Sequence, residues 1–144
     1  MNMPLEFNRK EILEKIKTLN FPLGQYVVIG SGLLAILKIR PAKDIDISVL
    51  PELYEKLYKS EKWQKEKRWD KVFLKKDNIE INPQLSWSDY KTSTEEAIKS
   101  ATIIDNIPFL NLGELKKFKE ALGRDKDKED IKLIDDYLNN SKID

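Results

Sequence analysis

The sequence predicts an α+β fold: a β-rich middle entered through one amphipathic helix and left through a C-terminal helical pair. Three observations predict it. Apolar residues recur at helical spacing at both ends, short β-branched runs bounded by turn residues fill the centre, and three Asn/Ser-x-x-Glu signals mark helix starts.

Asn8 and Glu11 form the first such signal, and Ile12, Ile16 and Leu19 carry a helix to about Asn20. Phe21-Pro-Leu-Gly24 breaks it. Tyr26–Ile29 reads as a buried strand ending at a Gly30-Ser-Gly turn. Leu33–Ile39 has the composition of a short helix, closed at Arg40-Pro41 because proline disfavours a helical residue before it. Asp44–Val49 then alternates strictly, with Ile45, Ile47 and Val49 on one face and Asp44, Asp46 and Ser48 on the other.

Pro51 suits a first helical turn, which Leu53, Tyr54, Leu57 and Tyr58 carry toward Trp63. Lys71–Lys75 and Ile79–Ile81 are expected strands joined at Lys76-Asp77-Asn78. Ser93 and Glu96 open a short helix to about Ser100. A small hairpin follows over Ile103–Leu110, turning at Asp105-Asn106, with Pro108 confining its second strand to an edge. Asn111 and Glu114 start a helix that Gly123 ends, and a last helix runs from about Lys126 to Leu138.

Composition narrows the function. The 144 residues are expected to form a single domain, 1–144, without internal repeat or linker. Twenty-six basic residues against 25 acidic ones leave a net charge of +1, too little to attract nucleic acid or an anionic membrane globally. There is no cysteine and no histidine, which removes disulfides, thiol nucleophiles, imidazole bases and the usual zinc ligands. Any metal chemistry falls to carboxylates, whose oxygen ligands suit magnesium, manganese or calcium. The N-terminal Met1–Leu13 lacks the apolar core of a signal peptide, and no run approaches the ~18 apolar residues of a membrane span. A cytoplasmic protein without membrane contact is expected.

The segment Gly30–Asp46 carries the most chemical information. Residues two apart on a strand project the same way, ~6.5–7 Å apart, so Asp44 and Asp46 can converge on one ion or two neighbouring ions. Glycine admits close backbone approach, and the amides opening the next helix, with the Ser31 hydroxyl, can cradle phosphate oxygens. Arg40 and Lys43 flank the aspartates as phosphate-contact or solvent-facing charges. Lys56–Lys76 holds nine basic and three acidic residues among Tyr58, Trp63, Trp69 and Phe73. That pattern fits an RNA-facing surface or, more commonly, an amphipathic helix with its aromatics inside.

Strand, Gly-Ser, short helix and Asp-x-Asp on the next strand resemble the signature of the DNA polymerase β-like nucleotidyltransferase superfamily, matched at Gly30, Ser31, Asp44 and Asp46. The C-terminal Lys119…Arg124-Asp-Lys126-Asp127-x-x-Asp130-Ile131 is similar to a stretch of its small bacterial and archaeal members, including relatives of AbiEii-type toxins. The resemblance spans roughly residues 22–135, with a motif core at 22–85 and a C-terminal helical part at 111–138.

It implies a nucleotidyltransferase-type mixed β-sheet with helices packed mainly on one face. It implies a third carboxylate on a later strand, best matched by Glu80, with Asp77 the nearby competitor. Lys119 and Arg124 become phosphate contacts beside Gly30, Ser31, Arg40 and Lys43, with Asp127 and Asp130 orienting them. Two magnesium ions, or manganese, would sit on Asp44, Asp46 and Glu80. The implied activity is transfer of a nucleoside monophosphate from a nucleoside triphosphate to a hydroxyl of tRNA or other RNA, a protein or a small molecule, in a toxin-like or housekeeping role. The alternative is an idle domain of the same fold that binds nucleotide, RNA or a partner.

Overall fold

The computed structural model describes residues 6–83, 85–86 and 90–141. The two ends of the expected 1–144 domain, including the first five residues read for a signal peptide, lie outside them.

Helix α1 (Arg9–Leu19) is fixed by a reciprocal cap. Asn8 Oδ1 accepts from the Glu11 amide at 3.0 Å, while Glu11 accepts from the Asn8 amide at 3.1 Å. Strand β1 (Tyr26–Ile29) is buried along its whole length. Helix α2 (Gly32–Ile36) stops earlier than expected: Lys38 turns to a φ of +61° and the Ile39 amide bonds back to Leu34 at 2.8 Å. Strand β2 (Ile45–Val49) follows, then helix α3 (Pro51–Lys59), which ends well before Trp63.

The sheet continues with β3 (Gln64–Arg68), β4 (Lys71–Lys76) and β5 (Ile79–Asn82). After α4 (Thr94–Lys99) come β6 (Thr102–Ile104) and β7 (Ile107–Phe109), and the chain closes with α5 (Leu112–Leu122) and α6 (Asp125–Ser141). Ser93 and Asn111 each cap the following helix by accepting the amide three residues on. Gly123 ends α5 at a φ of +64°, where glycine has no steric cost.

The architecture is mixed α+β: among the described residues, six helices surround a seven-stranded mixed sheet ordered β3-β4-β5-β2-β1-β7-β6. β2 runs antiparallel to β1 and parallel to β5, and β1 runs parallel to β7. Two expectations need correction. The basic stretch Lys56–Lys76, read as an amphipathic helix, is helical only to Lys59 and then forms the β3–β4 hairpin, of which the β4 strand is expected and β3 is not; its pleat divides the charges, so Arg68, Lys71 and Lys75 share one face while Lys65 and Lys76 lie over Tyr58 and Trp63 on the other. β7, with Pro108, is interior, and β6 is the edge. A two-residue hairpin turns Ile107 and Phe109 toward β6, so the missing Pro108 N–H faces β1, where the ladder registers only at Val28↔Phe109.

Register assigns the faces. Ile45, Ile47 and Val49 pair with Ile79, Ile81, Val28 and Tyr26 into a fully apolar layer, joined by Leu34, Ile36 and Leu74 in the core. Each such side chain contributes roughly 1.5–3 kcal/mol by burial. Helices reach both faces: Gly32 of α2 packs against Val28, while Thr94 of α4 bonds Ser48 at 2.6 Å on the opposite face. Among the described residues no helix is long and apolar enough to cross a membrane.

Candidate active site

The polar face of the sheet opens into a cleft of about 610 Å³, lined by all nine residues singled out from the sequence: Gly30, Ser31, Arg40, Lys43, Asp44, Asp46, Glu80, Lys119 and Arg124. The sheet supplies one wall. Asp46 and Glu80 lie in register on neighbouring parallel strands, so their side chains project to the same side, and Asp44 follows from the two-residue period. Asp77 does not line the cleft; it sits in the β4–β5 turn at a φ of +54°.

Gly30 is needed twice over. Its φ is +72°, and a Cβ there would stand 2.8 Å from Asp46 Oδ2. The strand-to-helix turn therefore lies directly against the carboxylate.

The acidic wall repels itself. Burial first, then the charges of Glu80 and Asp44, push the Asp46 carboxyl up to about 7, with Lys119 and Arg68 pulling it back. Asp46 is half-buried and lines the cleft. Asp44 is exposed. Glu80 accepts a charge-assisted hydrogen bond from Arg68. Among the described residues, no three acidic side chains are gathered into a ready-made metal cage.

The opposite wall comes from α2, α5 and α6, and it is internally paired. Asp130, nearly buried, accepts from Arg40 at 2.6 and 2.7 Å and from Lys119 at 2.8 Å. Asp127, fully buried, accepts from Arg124 Nε at 2.6 Å, Nη2 at 3.0 Å and the backbone amide at 3.1 Å. Burial alone would raise both carboxyls, but the hydrogen bonds and charges of these cations outweigh it and hold both below the ordinary value. Asp127 and Asp130 thus each hold the cations beside them through hydrogen-bonded ion pairs.

Ser31 joins the walls. Its hydroxyl makes no helix-capping bond; it accepts from Arg40 Nη2 at 2.9 Å and Lys119 Nζ at 3.2 Å. With both acceptor directions occupied, its proton points elsewhere. Lys119 is 3% exposed, so it is a positioned buried charge rather than a surface arm. Arg124, Lys43 and Lys126 are exposed cations lining the cleft.

Arg68 and Asn82 also line the cleft and escape the sequence reading, as do Trp69 and Phe73, which are read there only as aromatics of the basic stretch. Register explains their presence: Arg68, Lys71, Phe73 and Glu80 fall on the Asp46 face. Among the described residues, Arg68 Nε and Asn82 Nδ2 are buried without a hydrogen-bond partner, though Arg68 Nε lies 3.4 Å from Glu66 Oε1. No family model, curated protein or solved structure matches this chain.

Proposed function

We propose that this chain is a metal-dependent nucleotidyltransferase, moving a nucleoside monophosphate from a nucleoside triphosphate to a hydroxyl acceptor. The observation that supports it is the convergence of an acidic wall and a basic wall, from segments far apart in sequence, on one cleft with Gly30 and Ser31 between them. A triphosphate coordinated to a cation requires both.

The donor set fits a hard divalent cation. It is all oxygen, and Asp46 sits among carboxylates whose repulsion a cation would relieve. Asp44, Asp46 and Glu80 would hold two magnesium ions, with manganese the alternative. Bound there, they supply charge neutralisation at the α-phosphate and the departing pyrophosphate.

The chain's own residues do the rest. Arg124 and Lys43 bind the β- and γ-phosphate oxygens at the rim, while Lys119 and Arg40 fix Ser31 so that its hydroxyl donates to the same group. Glu80 receives the acceptor hydroxyl proton, for which Arg68 must first yield it. The acceptor oxygen bonds to the α-phosphorus, the bond to the β-phosphate oxygen breaks, and pyrophosphate leaves.

A second reading, an idle domain that binds nucleotide, RNA or a partner, draws support from Arg68 on Glu80. Incubating the chain with magnesium, four α-labelled nucleoside triphosphates, total RNA and total protein separates the two. Transfer of label that disappears in Asp44→Ala and Asp46→Ala supports the enzyme. Undiminished transfer in both variants, or binding without transfer, contradicts it.

A further inference from the structure

We propose that Trp69, with Phe73 and Arg68 behind it, is a stacking ledge for a nucleobase at the mouth of the cleft, an inference that rests on the nucleotidyltransferase reading. Three two-residue hairpin turns occur among the described residues, and they differ in what occupies the left-handed backbone positions. Asp77 (φ +54°) and Asp105-Asn106 (φ +52° and +64°) are residue types that tolerate this conformation. The β3–β4 turn places Trp69 (φ +51°) and Asp70 (φ +61°) there.

A bulky aromatic is disfavoured at positive φ, and burial does not offset that cost, because Trp69 is 64% exposed. Two local rules are broken at one residue, and that residue lines the cleft. Behind it, the Phe73 ring meets Trp69 edge-on at 6.1 Å, and the Arg68 guanidinium lies 4.1 Å from the Phe73 centroid and 5.8 Å from that of Trp69. An indole face steadied by a second ring and a planar cation is the chemistry that holds a nucleobase. The ledge joins the acidic wall through Arg68 and Glu80, in the cleft that Ser31 and Lys119 also line. A base seated there belongs either to the incoming nucleoside triphosphate or to the terminal nucleotide of an RNA acceptor.

Calorimetry with Trp69→Asn and Trp69→Phe tests the proposal; asparagine suits the turn while removing the ring. The ligands are magnesium–ATP, magnesium–tripolyphosphate and a single-stranded RNA hexanucleotide. Trp69→Asn weakens binding of ATP, of the hexanucleotide or of both by about tenfold or more, and whichever falls names the source of the base. Trp69→Phe retains most of that affinity, and tripolyphosphate binds all three chains equally. If Trp69→Asn leaves both ATP and hexanucleotide affinities unchanged while tripolyphosphate still binds, the ledge is refuted and the cleft reading stands. If tripolyphosphate fails to bind the native chain, both fall together.

Discussion

The two walls of the cleft solve opposite electrostatic problems. On the helical wall each principal cation has a carboxylate: Arg40 and Lys119 share Asp130, and Arg124 is clasped by Asp127. On the sheet wall, the charges of Glu80 and Asp44 act on Asp46, and Arg68 pairs directly with Glu80. The helical wall is complete as it stands; the sheet wall is under repulsion that an added cation would lift. Carboxylate repulsion left standing on one wall, beside principal cations already paired on the other, is the arrangement that the proposed cation binding calls for.

The comparison breaks most severely at Asp130. Asp130→Ala leaves Lys119 and Arg40 without their shared buried partner and is expected to lower unfolding free energy by about 3–5 kcal/mol, read from a urea midpoint. The opposite sign is expected at Asp46. Its carboxyl titrates near 7 in the folded chain against 3.8 ordinarily, so the folded state retains a proton that the unfolded state releases, and stability falls as pH rises between those values. Asp46→Asn removes that loss. It should be more stable than the native chain by on the order of 2 kcal/mol at pH 8, with the advantage vanishing below about pH 4.

A smaller effect is expected at Gly30→Ala, where strain at positive φ and the approach to Asp46 Oδ2 cost about 1 kcal/mol. Its transfer activity should fall far more than its melting temperature, since the added methyl displaces the carboxylate. Lys43→Ala should leave stability within about 0.5 kcal/mol, because the side chain is exposed, while weakening triphosphate binding severalfold in equilibrium dialysis.

What was legible in the sequence was local. The turn at Gly30, the Asp44/Asp46 alternation, the Ile79–Glu80–Ile81 pattern and the three caps all depend on residues within a few positions of one another. Arg68 was not legible, because Gln64-Lys-Glu-Lys-Arg68 contains no apolar residue and so carries no period-two signal. Its strand is held by pairing with β4, a long-range fact. Trp69-Asp70 likewise lacks the composition that announces a hairpin turn. The burial of Lys119 follows from two aspartates one helix away, visible as charges in the sequence but not as its enclosure. Pro108 misled because the rule for edge strands assumes a full ladder on both sides, and β7 has only one registered pair with β1.

The central claim is that the repulsion on the sheet wall exists to be relieved by a divalent cation. It is tested most directly by melting the native chain and Asp46→Asn at pH 8 with and without millimolar magnesium. Asp46→Asn is expected to melt higher without metal, magnesium to raise the native chain while leaving the variant nearly unmoved, and the difference between them to shrink or reverse. A native melting temperature indifferent to magnesium and manganese, or equal shifts in both chains, would contradict it.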